Sequence, residues 1–241
     1  MSHRGTAKIF VGYDSRENIA WEVCRYSLLR HTNYEVAVIP IRQQPLRELG
    51  LYTRPIDSRA STEFSLTRFL TPYLAAQSGW VAFCDCDFLF TTDVRDVFKG
   101  LDPAKAVYCV QHDYVPSHQI KMDGKQQTAY PRKNWSSFMV FNCDHPDVRG
   151  LTPARVNSET PSYLHRFEWV RNERDIGALE LDWNFLVGEY PMPATTPRVL
   201  HYTIGGPWFD SWTDCDYAGL WLAERDLYLA SLEERDIRQV A

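Results

Sequence analysis

The fold is decided by residues 80–90, WVAFCDCDFLF, the most apolar stretch of the chain. The length and bulk of this segment are typical of a strand buried on both faces, as in the parallel sheets of α/β proteins. Two carboxylates, Asp85 and Asp87, interrupt the apolar run. Side chains two residues apart on a strand point to the same face, so we expect both carboxylates to project together.

Upstream of this segment, the sequence alternates between strand and helix patterns. Strands are predicted over residues 8–13 (KIFVGY) and 35–41 (EVAVIPI), and apolar residues at helical spacing predict a helix over 18–30 between them. Another helix is predicted over 65–77, where Pro72 would either kink it or stand in its first turn. This order predicts a doubly wound, mostly parallel sheet with crossover helices.

Downstream, two further strands are predicted over 106–112 and 136–143, and the polar stretch 113–134 between them is expected to be a mobile loop. The remaining predicted elements are a short helix over 93–98 capped by Thr92 or Asp93, a helix over 162–170, a strand over 199–203 and an amphipathic helix over 217–232. Neither an internal repeat nor a break in composition marks a linker. We therefore expect a single α/β domain over residues 1–241.

The composition excludes several classes of protein. Hydrophobic residues make up 44% of the 241 residues and aromatic residues 14%, which suits one sizeable core and excludes a disordered or fibrous chain. The chain has 26 basic and 31 acidic residues and no basic run, so nucleic acid is not an expected partner. With no signal peptide and no window near the roughly 20 apolar residues of a membrane span, we expect a cytoplasmic protein.

The cysteines form no recognisable metal or disulfide pattern. The six of them are scattered, mostly inside apolar runs, and none stands in a CxxC pair. Such spacing argues against both a disulfide framework and a structural zinc site. We therefore expect most of these cysteines to be small buried side chains.

The two aspartates need a partner of opposite charge. Two like charges close together at low dielectric cost several kcal/mol, and a shared proton or a bound cation relieves that cost. Oxygen ligands favour Mg²⁺ or Mn²⁺ over zinc, and two carboxylates leave positions on such an ion for the oxygens of a diphosphate. One alternative is that the pair caps the following turn through backbone N–H groups. Another is a soft-metal site at Cys84 and Cys86, which is weaker because these side chains would face away from the carboxylates.

A second polar cluster lies in residues 200–212, LHYTIGGPWFDSW. There His201 ends a predicted strand, and Gly205 and Gly206 would let backbone N–H groups approach an anion closely. We expect His201 to be a third metal ligand. The alternative is a hydrogen-bonded structural histidine at a strand end.

Taken in order, these motifs resemble the GT-A type nucleotide-sugar glycosyltransferases, most closely the retaining family 8 of glycogenin and bacterial galactosyltransferases. The resemblance covers most of the chain. It is carried by FVGYDSRENIAWEVCRYSLLRHT, SLTRFLTPYLAAQSGWVAFCDCDFLF, SSFMVFN, LDWNFL and HYTIGGPW. Its specific part is the DxD element in an apolar strand after an Arg-bearing helix. The resemblance implies an α/β GT-A fold, with a Rossmann-like, mostly parallel central sheet flanked by helices.

The resemblance also implies a role for each matching residue. The implied set comprises the metal ligands Asp85, Asp87 and His201; the donor-binding residues Gly12, Tyr13, Asp14, Arg68, Asp85, Cys86, Gly205 and Gly206; and Asp182 and Asn184, facing the donor sugar and the acceptor. The first three donor-binding residues end the first predicted strand, where open α/β sheets bind ligands. Structural alternatives stay open: an Asx-turn for Asp14, a surface ion pair for Arg68 and a cap for Asp182.

The sequence departs from the family at three places. Residues 135–137 read Trp-Ser-Ser where the family has Asn-Ala-Gly, which leaves the donor sugar open. Gly206 stands where the family has a phosphate-contacting Lys, a loss that Arg132 or Lys133 could compensate. The family's Asp-Gln-Asp is reduced to LDWN, residues 181–184.

The activity implied is transfer of a hexose from a nucleoside diphosphate sugar, most simply a UDP-sugar, to a hydroxyl acceptor. It would use Mn²⁺ or Mg²⁺ and retain the anomeric configuration, with Asp182 the residue to test for a covalent intermediate. Sugar-phosphate nucleotidyl transfer is an alternative, although GYDSRENIA lacks the glycines of its usual loop. A non-catalytic sugar-nucleotide binder is another. The side chains that could form either an acceptor wall or core packing are Trp135, Trp208, Phe209 and Trp212.

Overall fold

The structure is a computed structural model that describes residues 6–33, 35–57, 60–113 and 131–240, with side chains up to residue 234. The loop expected over 113–134 lies for the most part outside the described residues. The strands are β1 (Ala7–Gly12), β2 (Val36–Ile41), β3 (Trp80–Cys84), β4 (Phe88–Phe90), β5 (Val107–Val110), β6 (Phe138–Asn142), β7 (Ile176–Leu179), β8 (Phe185–Leu186) and β9 (Val199–His201). The α-helices are α1 (Asn18–Arg30), α2 (Gln43–Glu48), α3 (Thr71–Leu74), α4 (Pro146–Arg149), α5 (Pro153–Ser158), α6 (Pro161–His165) and α7 (Ala218–Val240).

The main sheet has the order β2-β1-β3-β6-β5-β7 within the described residues. Its pairings β1–β2, β1–β3 and β5–β7 are parallel, and β6 runs antiparallel to both of its neighbours. The predicted mostly parallel α/β sheet is therefore confirmed. The strands carry almost continuous apolar runs because helices and the second sheet cover this sheet.

The predicted single strand over residues 80–90 is wrong. The segment forms β3 in the main sheet and β4 in a second sheet, of order β4-β9-β8, and the chain bends between them at residues 85–87. The backbone N–H of Asp85 still donates to Ser137 in line with the main sheet (3.0 Å), whereas the carbonyl of Asp87 already accepts from Tyr202 next to β9 (2.9 Å). Strand alternation therefore does not explain why the two carboxylates meet. The bend brings them together.

Two predicted helices are shorter than their apolar patterns suggested. The helix expected over 65–77 is a 3-10 turn, Thr67–Leu70, followed by α3, in whose first turn Pro72 stands. The helix expected over 162–170 is α6, which ends before Phe167 adopts a positive φ of 56°. The short helix at 93–98 is confirmed as a 3-10 helix, Val94–Phe98, and the Asp93 side chain caps it by accepting from the backbone N–H of Arg95.

The second sheet packs against the helices that follow β1 and end the chain. Leu89 of β4 and Leu200 of β9 share an apolar cluster with Val23 of α1 and Trp221 of α7. All six cysteines are free thiols; five are buried and Cys215 is half-buried, as expected. Among the helices that the structure describes, none combines the length and the apolar character needed to cross a lipid bilayer.

Candidate metal and donor site

Three metal-ligating side chains meet where the two sheets join. Asp85 and Asp87 stand at the bend between β3 and β4, and His201 ends β9 directly opposite Phe88. One ligand atom from each of the three lies within 4.8 Å of the others. The Nε2 atom of His201 is 3.4 Å from Oδ2 of Asp87. The structure thus brings together the three residues that the sequence suggested as metal ligands.

Arg68 is buried beside this cluster and pairs with Asp85. Its Nη1 lies 2.8 Å from Oδ1 of Asp85 and its Nη2 lies 3.4 Å from Oδ2. The guanidinium also donates to the carbonyl oxygens of Ser136 (2.8 Å) and Ser65 (3.0 Å), and Arg68 is only 5% exposed. The surface ion pair left open for Arg68 is therefore wrong. Arg68 therefore supplies a buried positive charge directly beside the first of the two carboxylates.

Asn184 lies behind His201 rather than beside the open face of the cluster. Its Oδ1 is 2.8 Å from Nδ1 of His201, and its Nδ2 donates to Oγ of Ser137 (2.9 Å). Ser137 in turn donates to the carbonyl of Asn134 (2.7 Å). The His201 ring stacks on Phe88 with ring centres 4.3 Å apart. Asn184 has no exposed surface, so its amide is used inside the protein.

Asp182 is not brought to the cluster. Its Oδ2 pairs with Nε of Arg198 at 3.1 Å, and the Arg198 guanidinium lies over the Trp183 ring. Arg198 directly precedes β9 and His201 ends it, so the two are three residues apart, which is roughly 10 Å of extended chain. Burial raises the pKa of Asp182 and Arg198 lowers it, the first effect being the larger. Asp182 thus serves as an ion-pair partner at the opposite end of β9.

The end of β1 is held by the chain's own groups. Asp14 is fully buried, and its carboxylate accepts from Nε of Arg16 (2.9 Å) and from the backbone N–H groups of Arg16 (3.0 Å) and Glu63 (3.2 Å). Burial would raise the pKa of Asp14, but these hydrogen bonds and the Arg16 charge lower it overall. The Asx-turn considered for Asp14 is confirmed, since it caps the 3-10 turn Ser15–Glu17.

The two residues before Asp14 also have internal contacts. A Cβ on Gly12 would lie 2.4 Å from the ring of Phe64, so only glycine fits there. The Tyr13 ring lies under the guanidinium of Arg42 at 4.0 Å, and its hydroxyl donates to Oδ1 of Asn18 (3.0 Å). Neither contact points to a ligand by itself.

Glu17 is a buried carboxyl that the sequence analysis did not single out. It ends the 3-10 turn that Asp14 caps and is only 2% exposed. Burial, and then the negative charges of Asp87 and Asp14, raise the pKa of Glu17 from 4.5 to about 8. An acidic residue at the start of a helix usually interacts favourably with the helix dipole. The sequence therefore gives no sign that Glu17 is buried. Glu17 is electrostatically linked to both the β1 turn and the metal-ligand cluster.

The glycines after His201 are covered by two indole rings. Gly205 has a φ of +144°, and a Cβ there would lie 2.7 Å from Trp212. A Cβ on Gly206 would lie 2.0 Å from the six-membered ring of Trp208. The expected anion contact through Gly205 is wrong in this arrangement, because its N–H donates to Tyr202 (2.9 Å). Trp208 also explains why a lysine is absent at position 206: the ring fills the space of its side chain.

The two basic residues suggested as substitutes for that lysine differ in their surroundings. Arg132 donates to the carbonyl of Arg166 (2.6 Å) and forms an ion pair with Glu173, so its charge is used away from the cluster. Lys133 is buried next to it. A role as a phosphate-contacting lid therefore does not fit Arg132.

The aromatic residues considered for an acceptor wall pack largely against the protein. Trp208 lies edge-on to Tyr202 (5.8 Å between ring centres) and 5.1 Å from Trp221. The indole N–H of Trp135 donates to the carbonyl of His112 (2.9 Å). Core packing accounts for these contacts.

A cleft of about 840 Å³ lies next to the segment that precedes Arg68, since Glu63, Ser65 and Leu66 line it. Ser65, whose carbonyl holds Arg68, lines it together with Arg16, Gln43 and Tyr52. His165 also lines the cleft, and burial and then the Arg68 charge lower its pKa to about 3, so its ring is neutral. Arg68 thus connects the two regions, because it bonds to Ser65 at the cleft and to Asp85 in the acidic cluster.

No profile of a known protein family matches the chain. Protein CDI of Arabidopsis thaliana is 47% identical over 231 residues, which cover 94% of this chain and 89% of that protein.

Several solved structures have a similar fold. The bifunctional glycosyltransferase WbbM has a TM-score of 0.61 at 18% identity over 93% of this chain, and the glycosyltransferase GlyE of Streptococcus pneumoniae TIGR4 has 0.61 at 14% over 96%. The chain spans only 50% of WbbM and 64% of GlyE. The galactosyltransferase LgtC has a TM-score of 0.53 at 12% identity, over 91% of this chain and 95% of its own. The chain therefore belongs to the same family as Protein CDI, and its fold is that of the GT-A glycosyltransferases.

Proposed function

We propose that this protein is a metal-dependent glycosyltransferase that moves a hexose from a UDP-sugar to a hydroxyl acceptor with retention of configuration. One observation carries the proposal: Asp85, Asp87 and His201 converge within 4.8 Å at the junction of two sheets in a GT-A fold. The glycosyltransferases of similar fold support the reaction class.

The three side chains fit a divalent cation. Two carboxylates and one imidazole form an oxygen-rich ligand set that suits Mn²⁺ or Mg²⁺. Cys86 lies between the aspartates but is buried, and burial raises the pKa of its thiol well above the usual range, so it is not a thiolate ligand. When bound, the cation would supply Lewis-acid stabilisation of the negative charge that forms on the diphosphate.

The cleft beside Arg68 is the proposed place of the nucleoside half of the donor. Its volume of about 840 Å³ suits a nucleotide-sized ligand. The guanidinium of Arg16, the amide of Gln43 and the ring of Tyr52 line it, and such groups hydrogen-bond to or stack on a base and a ribose. Arg68 bonds both to Ser65, which lines the cleft, and to Asp85, and its positive charge there would also attract the diphosphate.

In the proposed transfer, the bond between the anomeric carbon and the diphosphate oxygen breaks, and its electron pair stays on that oxygen. The acceptor oxygen forms the new bond to the anomeric carbon and gives its proton to the departing diphosphate. Departure and attack on the same face retain configuration without a protein nucleophile. The pairing of Asp182 with Arg198 gives no support to a covalent intermediate.

The test is release of UDP from UDP-glucose and UDP-galactose in the presence of Mn²⁺, with and without a chelator. We expect metal-dependent release that a hydroxyl acceptor accelerates. Release of pyrophosphate from a sugar phosphate and a nucleoside triphosphate would instead support nucleotidyl transfer. Binding of the nucleotide sugar without release of either product, under all donors and metals, would contradict an enzymatic role.

A further inference from the structure

A line of buried hydrogen bonds runs from the β6 side of the molecule to His201. It passes from the carbonyl of Asn134 through Oγ of Ser137 and the amide of Asn184 to Nδ1 of His201. Its successive distances are 2.7, 2.9 and 2.8 Å. Ser137, Asn184 and His201 are each at most 3% exposed, so water does not compete for these bonds.

The donors and acceptors in this line can have only one arrangement. A hydroxyl has one proton, and Ser137 gives it to the carbonyl of Asn134, so its oxygen accepts from Asn184. The amide nitrogen of Asn184 therefore faces Ser137, and its oxygen faces His201. Since that oxygen only accepts, the ring proton of neutral His201 must be on Nδ1.

We propose that Asn184, anchored by Ser137, is a positioning residue that fixes His201 as the Nδ1–H tautomer and thereby presents the lone pair of Nε2 as a metal ligand. This rests on the cation site of the proposed function. It assigns to Asn184 a role through His201, and not one against the donor sugar or the acceptor.

Two contacts divide the work of orienting the imidazole. Stacking on Phe88 at 4.3 Å fixes the plane of the ring, and Asn184 decides which nitrogen carries the proton. In the neutral ring, Nε2 of His201 and Oδ2 of Asp87 are therefore two acceptors that face each other at 3.4 Å. Such an approach is unfavourable unless a cation or a proton lies between them, and the proposed metal site would supply the cation.

Without Asn184, the opposite tautomer becomes favourable. The ring proton would move to Nε2, where Oδ2 of Asp87 can accept it. Nε2 of His201 would then have no lone pair for the cation, and it would donate a hydrogen bond to Asp87 instead. Removal of a partner that orients a metal-bound histidine usually lowers metal affinity by about 10–100-fold.

The test is ¹⁵N NMR of the histidine rings in the metal-free protein at mildly alkaline pH, with His201 assigned through the His201→Gln variant. We expect a protonated Nδ1 in the wild type and a shift toward a protonated Nε2 in Asn184→Ala. Mn²⁺ titration followed by electron paramagnetic resonance should show an affinity loss of about 10–100-fold in that variant. Neither measurement requires transfer activity. A failed activity assay would therefore contradict the proposed function, whereas an unexpected tautomer would contradict the role of Asn184.

Three further variants serve as controls or as a substitute. Asn142→Ala removes another buried amide, which donates to the carbonyls of Pro103 and Lys105 away from the cluster, and it should leave the tautomer and the Mn²⁺ affinity unchanged. Asn184→Asp keeps an oxygen facing Nδ1 and should retain the wild-type tautomer. If Asn184→Ala does not fold, Ser137→Ala tests the same line from its anchor. The proposal is overturned if wild-type His201 carries its proton on Nε2, or if Asn184→Ala keeps both the tautomer and the affinity.

Discussion

The turn after β1 and the bend between β3 and β4 both contain buried carboxylates, but their surroundings differ. At the turn, Asp14 accepts from the side chain of Arg16 and from backbone N–H groups, so the chain itself satisfies the charge. At the bend, the ligand atoms of Asp85 and Asp87 converge on a third ligand, His201. Burial of an acid therefore does not identify a site. What distinguishes the bend is the convergence of three side chains that can ligate a metal.

The largest expected effect is at the bend, where replacing Asp87 should sharply weaken metal binding but leave the stability of the fold nearly unchanged. Asp87→Ala should lower Mn²⁺ affinity and UDP release by more than about 100-fold, beyond the loss typical of a ligand's supporting partner. The free energy of unfolding should change by less than about 1 kcal/mol or increase, because one of two neighbouring like charges is removed. The variant is measured by Mn²⁺ titration, UDP release and urea denaturation. Asp96→Ala, a surface aspartate paired with Lys99, is the control, and wild-type activity in Asp87→Ala would refute the metal assignment.

The opposite outcome is expected at the β1 turn. Asp14→Ala leaves the Arg16 and Glu63 N–H groups without their acceptor and should lower the free energy of unfolding by about 2–4 kcal/mol. Urea denaturation measures the loss, and Asn at this position should restore part of it by keeping the cap. Mn²⁺ affinity should stay unchanged in the folded fraction. A stable Asp14→Ala variant that had lost Mn²⁺ binding would contradict the structural role of Asp14 and would show that the β1 turn is also part of the metal site.

A smaller effect is expected at the glycine loop after His201. Gly206→Ala places a methyl group 2.0 Å from Trp208 and should destabilise the fold by about 1–3 kcal/mol. Gly219→Ala in α7, where a Cβ meets nothing within 4 Å, should instead stabilise by roughly 0.5–1 kcal/mol. Thermal or urea denaturation compares the two. Equal effects would mean that the indole does not close the space at position 206.

The last expected effect depends on pH and concerns Glu17, which is linked to both regions. Its pKa is raised in the folded protein from 4.5 to about 8, so the folded state binds more protons than the unfolded state between these values. Its contribution to stability is therefore fully present below about pH 4.5 and is lost as the pH rises to about 8. The slope reaches at most about 1.4 kcal/mol per pH unit.

Glu17→Gln isolates this contribution. The difference in unfolding free energy between wild type and variant, measured by urea denaturation across that pH range without added metal, should vary with pH in the direction given. A difference that stays constant with pH would show that Glu17 is ionised in the folded protein.

Local sequence patterns predicted the first part of the fold well and the central strand badly. The predicted segments 8–13, 18–30 and 35–41 correspond closely to β1, α1 and β2. Each of these segments contains enough apolar residues at strand or helix spacing to be predicted without the rest of the chain. The break at residues 85–87 depends on hydrogen bonds to Ser137 and Tyr202. Because these residues are distant in sequence, the apolar run 80–90 alone could not predict the break.

The site shows the same division. Asp85, Asp87 and His201 could be selected because their residue types and motif order are unusual for a core. The position of Asn184 behind His201 depends on hydrogen bonds across 17 and 47 residues, which no local pattern reports. Glu17 was missed because groups that act on it, such as Asp87 and Trp208, are distant in sequence.

The bend at residues 85–87 has a mechanical consequence. The backbone of Asp85 is hydrogen-bonded to Ser137 next to the six-stranded sheet, whereas the backbone of Asp87 is hydrogen-bonded to Tyr202 next to the three-stranded sheet. An ion held by both carboxylates would therefore cross-link the two sheets. Saturation with the cation should then make the layers melt as one unit, and a chelator should let the three-stranded sheet loosen first in hydrogen exchange.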